Sequence, residues 1–294
     1  MNCNRKNMFT SIKKRFKSQF IRRANKFKLD LSRADLSGVD FSDCDFYDAN
    51  LSGIDLKKAN LEAASFIWAD LNGGILQDSN CDRAQFHFAS LLWANLSSAS
   101  LIEADLSCAK ASQANLENAI ATKAKFMGAT LDETNLTAGN FTSVDFFNAN
   151  MTSANCSNAN LSATNLTKAQ LEKANLSNVD LVEAQLIDAN MTAADLRGAI
   201  IRFAELEFVS LVDANLTDCD LSYSSLFGAD LSGAILSGAK LLNTDLRQAN
   251  LENTQLKNVD FSQCRVAGAI FTNASRLTMV QKIWLKNNGA LNVE

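Results

Sequence analysis

The chain has no proline, a single histidine, no acidic residue before position 29 and no unbroken run of 18 apolar residues; each lack removes a class of protein. Without proline the chain is not collagen-like, and with 47% hydrophobic and 20% charged residues it does not fit the disordered class. The missing apolar run excludes a transmembrane helix. Because His87 stands alone and no CxxC or HxxxH spacing occurs, most hydrolytic and metal chemistries lack their usual parts. No enzyme, metal or cofactor is expected.

Residues 1 to 28 hold ten Lys or Arg and no Asp or Glu, which leaves 18 basic against 32 acidic residues in the rest, a balance of −14 beneath the formal −4. The basic segment is drawn to phosphates, anionic lipid or an acidic protein surface; the body repels nucleic acid. Direct nucleic-acid binding by the body is not expected. The N-terminus lacks the apolar stretch of a secretory signal, and its basic, acid-free composition is shared by organelle transit peptides and bacterial cytoplasmic chains. A cytoplasmic location is expected, with a membrane-peripheral place or export without such a signal left open.

From Leu31 to Phe271 every fifth residue falls in one register (Leu31, Leu36, Phe41, Phe46, Leu51 and onward), giving 49 centres, 32 of them Leu and nine Phe. Met151, Met191, Ile201, Val266, Cys81, Cys156, Ala111 and Ala121 complete the set. Two residues before each centre lies a small residue, usually Ala, and between the two lies Asp, Asn or Ser in most repeats. A helix needs recurrence near 3.6 and an uninterrupted strand recurrence of 2, so neither fits. Three extended residues followed by a two-residue corner do fit. Nine of the twelve Gly sit second after a centre, where Asn is also frequent, so that slot is a turn position tolerating positive φ.

A chain that turns every five residues and buries one small and one large side chain per side winds into a solenoid. Large apolar residues in the corner slots follow fifteen centres; sorted modulo 20 they divide 8, 5, 2 and 0, whereas modulo 15 they divide 6, 5 and 4. The nine central Phe divide 5, 3, 1 and 0 over the same four classes. Each coil therefore has four sides.

Segments such as Ala49-Asn50-Leu51-Ser52-Gly53 and Ala229-Asp230-Leu231-Ser232-Gly233 resemble, letter by letter, the A(D/N)LXX motif of the pentapeptide-repeat family. The resemblance implies an all-β fold, a right-handed quadrilateral parallel β-helix. At ~4.8 Å per coil, about twelve four-sided coils make a rod near ~58 Å. The expected organisation is a basic amphipathic arm or cap over 1–28, the β-helix over 29–273, and a capping helix and tail over 274–294, with short helical segments at both ends.

Burial of the Leu and Phe column is expected to hold the rod, with thinner packing and weaker exchange protection near Ala111 to Ala121. Asn95, Asn115, Asn135, Asn155 and Asn175 fall 20 apart and are expected to stack, either as an amide ladder or as soluble, turn-compatible residues. Cys44, Cys219 and Cys264 occupy small inward slots and Cys81 and Cys156 central ones. No disulfide and a reducing compartment are expected, with Cys3 and Cys108 the accessible thiols. His87, in a corner slot between Ile67 and Ser107, reads as a surface residue.

Three places stand out as sites. Tyr47, Ile67, Trp68, Phe88, Met127, Phe147, Ile187, Phe208 and Phe227 fall in corner slots of one column, a stripe that reads either as a partner-binding surface or as side chains wrapping their own solenoid. The opposite column (Lys57, Lys58, Gln77, Asp78, Ser97 and Ser98 among others) carries nothing large and apolar. Phe9, Ile12, Phe16, Phe20 and Phe27, interleaved with Lys13, Lys14, Arg15, Lys17, Arg22 and Arg23, describe a basic amphipathic helix. It would cap the first coil beside Asp35, Asp40, Asp43, Asp45 and Asp48, lie on an anionic membrane, or meet nucleic acid. Leu277, Val280, Ile283, Trp284 and Leu285 suit a helix over the last coil, serving as a cap or, as in some members of the family, a dimer contact.

The expected function is a non-catalytic protein-interaction scaffold with an unidentified protein partner. Two alternatives stand beside it. The resemblance implies DNA mimicry, in which an acidic rod binds a bacterial type II topoisomerase and protects it from quinolones. This chain lacks the loops that interrupt the repeat in such binders. The basic arm points instead to a membrane-associated scaffold or secreted effector.

Overall fold

Twenty-residue coils stack through parallel pairing. In the computed structural model, which describes residues 28–294, bridges link each outward residue except Lys240 to the one twenty positions on, from Asp30 with Asn50 to Gln255 with Ser275. Each coil has four short extended sides joined by four corners.

One repeat shows where every backbone donor goes. Leu51 N–H donates to Asp70 O at 2.7 Å and Gly53 N–H to Asn72 O at 2.8 Å, both in the next coil. Ile54 N–H closes the corner on Leu51 O at 3.1 Å, and Asp55 N–H reaches back to Ala34 O at 2.9 Å. The fifth donor, Ser52 N–H, is taken by the Asn50 side-chain oxygen at 3.2 Å. Buried or crowded amides must be paired somewhere, and a carboxylate or carboxamide two residues upstream pairs this one. That is why Asp and Asn dominate the middle of each side, where the sequence pattern alone assigns them only an outward position. At Ser90 and Ser100 the acceptor comes from the coil before: Leu92 N–H uses Asn72 Oδ1 at 2.9 Å and Ile102 N–H uses Asp82 Oδ1 at 3.0 Å.

At each corner the third residue is left-handed, from Arg33 to Asn273 with Gln263 the exception. Combined with the bond that closes the corner, this is the type II arrangement.

The interior is the column of centres, buried from Leu36 to Phe271. Each leucine removed from water contributes about 1.5–3 kcal/mol. Phe46, Phe66 and Phe86 stack along the axis, with centroids 5.1 and 4.9 Å apart. Ala111 and Ala121 are as buried as their neighbours. Phe141 lies one coil beyond Ala121, and its ring occupies the space that a Cβ on Gly139 would need. Polar residues in small slots bond to carbonyls: Thr134 Oγ1 to Ala111 O at 2.9 Å and Thr244 Oγ1 to Leu221 O at 3.0 Å. This satisfies the hydroxyls in an otherwise apolar wall.

At the C-terminal end, helix α1 (Met279–Asn287) starts from a capping box in which Thr278 and Gln281 serve each other's backbone. Leu285 is the helix residue that plugs the end, fully buried, while Leu277 and Trp284 pack against the core half-buried. The expectation that Val280 and Ile283 also cap is corrected: they are 77% and 53% exposed, because α1 turns the opposite face to the coil. After α1 the chain returns to the ladder, pairing Leu291 with Ile270 and burying Val293.

One side of one coil is open. Among the described residues, Leu241 and Asn243 N–H lack the bonds to the next coil that their counterparts Leu221 and Tyr223 make at 2.9 and 2.8 Å. Asp260 has no bridge to Lys240. The strand around Asp260 is the last on its side, since α1 takes the place of a further coil. Gln281 Nε2 holds Val259 O at 2.5 Å instead.

Candidate interaction surface

The stripe expected from the sequence is an edge of the prism, formed by corners 47–48, 67–68, 87–88 and so on, called here the Tyr47 edge. Tyr47, Trp68, Phe88, Met127, Phe147 and Phe208 are exposed on it, whereas Ile67, Ile187 and Phe227 are half-buried against the wall. The stripe is broken at Ser107–Cys108 and at Thr167–Lys168, so it divides into shorter patches. Trp68 and Phe88 stack with centroids 4.4 Å apart and planes within 18°. Farther along, Phe208 meets Phe227 edge to face at 5.7 Å, and the Arg247 guanidinium lies 5.7 Å from the Phe227 centroid.

Backbone conformation makes these rings costly. Trp68 has φ +62°, Phe88 +58° and Phe208 +58°, in the slot where glycine stands in other coils. A bulky side chain on left-handed backbone costs about 1–2 kcal/mol. Trp93, Phe203 and Tyr223 do the same on the other edges, at +57°, +58° and +65°. Trp93 is 62% exposed, and Phe203 stacks on Tyr223 at 5.0 Å. The sequence pattern underweights these three because their columns hold fewer large residues.

His87 is half-buried rather than a surface residue. Its ring meets Phe88 edge-on at 4.1 Å, and its Nδ1 is buried without a hydrogen-bond partner. Among the described residues no carboxylate bonds to it.

Cys81, Cys156 and Cys219 are fully buried, and burial pushes each thiol up to about 12. Cys264 is pushed to the same value, chiefly by burial. Cys108 is exposed and Cys44 buried; Cys3 lies outside the described residues. Among the described residues no group of three or more His, Cys, Asp or Glu could hold a metal ion, and no helix is long and apolar enough to cross a membrane.

Near the C-terminal end, Asp245 accepts from Arg247 Nη2 at 2.8 Å and, across one coil, from Arg265 Nη2 at 2.7 Å. Burial raises its pKa, but the arginine contacts outweigh it and the carboxyl sits below its ordinary value. At the other end Lys28 pairs with Asp48 at 3.0 Å, on the Tyr47 edge. The basic residues Lys13, Lys14, Arg15, Lys17, Arg22 and Arg23 lie outside the described residues. The Asn column stacks as expected, but its amides bond only in alternate pairs, Asn135 to Asn115 at 3.1 Å and Asn175 to Asn155 at 3.0 Å, rather than as a continuous ladder.

A wall of twenty-residue coils, each side burying a small and a large residue, defines a parallel β-solenoid whose usable chemistry lies on its edges and ends. The family described as pentapeptide repeats matches in segments running from 29–62 to 234–273, and the chain belongs to that family. Among solved structures, the chain is similar to HetL, a pentapeptide repeat protein involved in heterocyst differentiation regulation from the cyanobacterium Nostoc sp. strain PCC 7120. Identity is 28% over 84% of this chain and 95% of that one, with a TM-score of 0.41. It is also similar to QnrB1, a plasmid-mediated fluoroquinolone resistance protein, at 24% identity over 74% and 90% of the two chains, with a TM-score of 0.39. A pentapeptide repeat protein from the Arabidopsis thaliana thylakoid lumen shares 34% identity over 40% of this chain and 78% of its own, with a TM-score of 0.26. No curated protein matches the sequence.

Proposed function

We propose that this protein is a non-catalytic scaffold that binds a protein partner along the Tyr47 edge. The observation that carries the reading is the Trp68–Phe88 pair: two stacked rings, 52% and 38% exposed, both on left-handed backbone. Glycine fills the equivalent slot at Gly228 and Gly268 without that strain. The third residue of every corner but Gln263 shares that backbone, so what sets this pair apart is two large rings side by side in solvent, and aromatic side chains are the usual anchors of interfaces. The test replaces Trp68, Phe88 and Phe147 together by Ser and compares the proteins captured from the native cell with those captured by the unchanged chain. Loss of specific partners at unchanged melting temperature supports the reading; an identical set of partners refutes it.

A second contact has its own support. Met279, Val280 and Ile283 form an apolar face on α1 that is 74%, 77% and 53% exposed, which fits self-association through the C-terminal end. Sedimentation of a Val280→Glu, Ile283→Glu variant tests it, since a dimer held there would become monomeric and any other assembly would persist.

A further inference from the structure

The break in the ladder beside Lys240 leaves backbone groups of both kinds without partners. Among the described residues, Leu241 and Asn243 N–H have no acceptor and Ala239 O has no donor. One coil earlier the same three groups are engaged: Leu221 and Tyr223 N–H donate to Lys240 O and Leu242 O at 2.9 and 2.8 Å, and Cys219 O accepts from Lys240 N–H at 2.9 Å. Leu242 N–H is left over as well, because Lys240 stands where Asp220 serves Ser222 N–H at 3.0 Å. On the facing rim Asp260 N–H and Ser262 O lack their ladder bonds.

The rims stay apart for a local reason. The corner before Asp260 does not close, since Val259 N–H makes no bond to Leu256 O, whereas Ala239 N–H meets Leu236 O at 2.9 Å. Gln281, fixed in the capping box of α1, bonds to Val259 O instead.

Both rims line a cavity of about 480 Å³ that continues over the preceding coils. A water takes ~30 Å³ of liquid, so this is more than a widened ladder bridged by one or two waters, and it falls among the sizes of ligand sites. The lining says which ligand fits. Its charges balance, Arg202 and Lys240 against Asp220 and Asp260, so it selects neither an anion nor a cation. An acceptor and then donors follow one another along Ala239–Asn243, over about 13 Å at ~3.3 Å per residue. An anion meets only the donors. An extended peptide meets both, which is how strands add to open sheet edges. Tyr223 and Leu242, 42% and 39% exposed, supply an apolar shelf beside the rim.

We propose that this opening is a peptide-binding slot, in which an extended segment of a partner protein adds as a parallel strand to Ala239–Asn243. One residue of the segment lies opposite Lys240, donates its N–H to Ala239 O and accepts from Leu241 N–H. Its side chain is acidic and stands beside the Lys240 ammonium. Two residues on, a carbonyl accepts from Asn243 N–H and an apolar side chain rests on Leu242 and Tyr223. Proline is excluded at the first of these positions, where the N–H is used. The slot is separate from the Tyr47 edge, so either surface stands if the other fails.

The probe is a capped pentapeptide, acetyl-Val-Glu-Thr-Leu-Thr-amide, added to the isotope-labelled full chain and followed by amide chemical shifts and exchange. The expected result is saturable shifts at Leu241, Asn243 and Asp260, with exchange of Leu241 and Asn243 slowed about tenfold at nine-tenths occupancy. The same peptide with proline in place of Glu binds about tenfold more weakly, as loss of a backbone bond predicts. A Lys240→Glu chain binds the Glu peptide about fivefold more weakly, the scale of an exposed ion pair, and a peptide with Lys in place of Glu restores binding. Shifts that do not saturate at millimolar peptide, or that centre elsewhere on the rod, overturn the proposal. So does equal binding of the proline peptide, or of the Glu and Lys peptides by the Lys240→Glu chain. Slow exchange of Leu241 and Asn243 in the free chain overturns it too, since the rims would then already be joined.

Discussion

Asn135 donates its side-chain amide to Oδ1 of Asn115, one coil away, at 3.1 Å. The same oxygen accepts the backbone N–H of Glu117 at 3.0 Å, so a single atom ties a corner and joins two coils. Asp at position 115 would keep both bonds, whereas Leu would lose both. Asn115→Asp is expected to leave stability nearly unchanged. Asn115→Leu should cost about 1 kcal/mol, the low end for an orphaned amide because Glu117 faces water. Urea unfolding separates the two, and equal losses would show that the oxygen is not what the position supplies.

Much of this fold is legible before any coordinates, because the wall repeats one small-and-large inward pair and a repeat exposes its own period. The inward placement of Cys44, Cys81, Cys156, Cys219 and Cys264 follows from register alone. The corner role of Asp and Asn does not, since it depends on which amide the ladder leaves over. Nor does the face of α1: Leu285 lies roughly 140–160° round the helix from Val280 and Ile283, so counting apolar residues takes in both faces, and only packing on the last coil shows that Leu285 is the one covered. The Tyr47 edge is legible as a column, and so is the left-handed backbone under Trp68 and Phe88, which stand in the slot that glycine and asparagine mark; the stacking of the two rings shows only in the coordinates.

Asp245 gives a pH dependence with a definite sign. Its carboxyl is lowered in the folded chain, so its contribution to stability is full above the unfolded value near 3.9 and is lost as pH falls through the folded value. The two arginine side chains are 43% and 63% exposed, which screens the pairs. Asp245→Asn should therefore cost only about 1 kcal/mol at neutral pH. Thermal melts of the two proteins are expected to differ at neutral pH and to converge in strong acid. A gap that persists in acid would assign the effect to packing.

Thiol chemistry divides the cysteines. With Cys81, Cys156, Cys219 and Cys264 held near 12 by burial, their thiolate fraction at mildly alkaline pH is negligible, and the coil also blocks access. Iodoacetamide should label Cys108 in the native protein and reach these four only after denaturation. Peptide mass mapping reads the outcome, and native labelling of Cys156 would show that the rod opens along its length.

The open side near Lys240 makes the last test. Leu241 and Asn243 occupy the same slots as Leu221 and Tyr223 one coil earlier, yet only the earlier pair donates to the coil beyond. In a solenoid each coil is stabilised by its neighbours, so protection should decline toward an end and drop where a set of bonds is missing. Amide exchange of Leu241 and Asn243 is expected to be faster than that of Leu221 and Tyr223 by about a hundredfold, as loss of a single opening barrier of ~3 kcal/mol would produce. Leu246, on the next side of the same coil, donates to Arg265 O at 2.8 Å and should remain protected. Fast exchange of all three would mean that the whole terminal coil frays, whereas uniform slow exchange would mean that this side closes in solution.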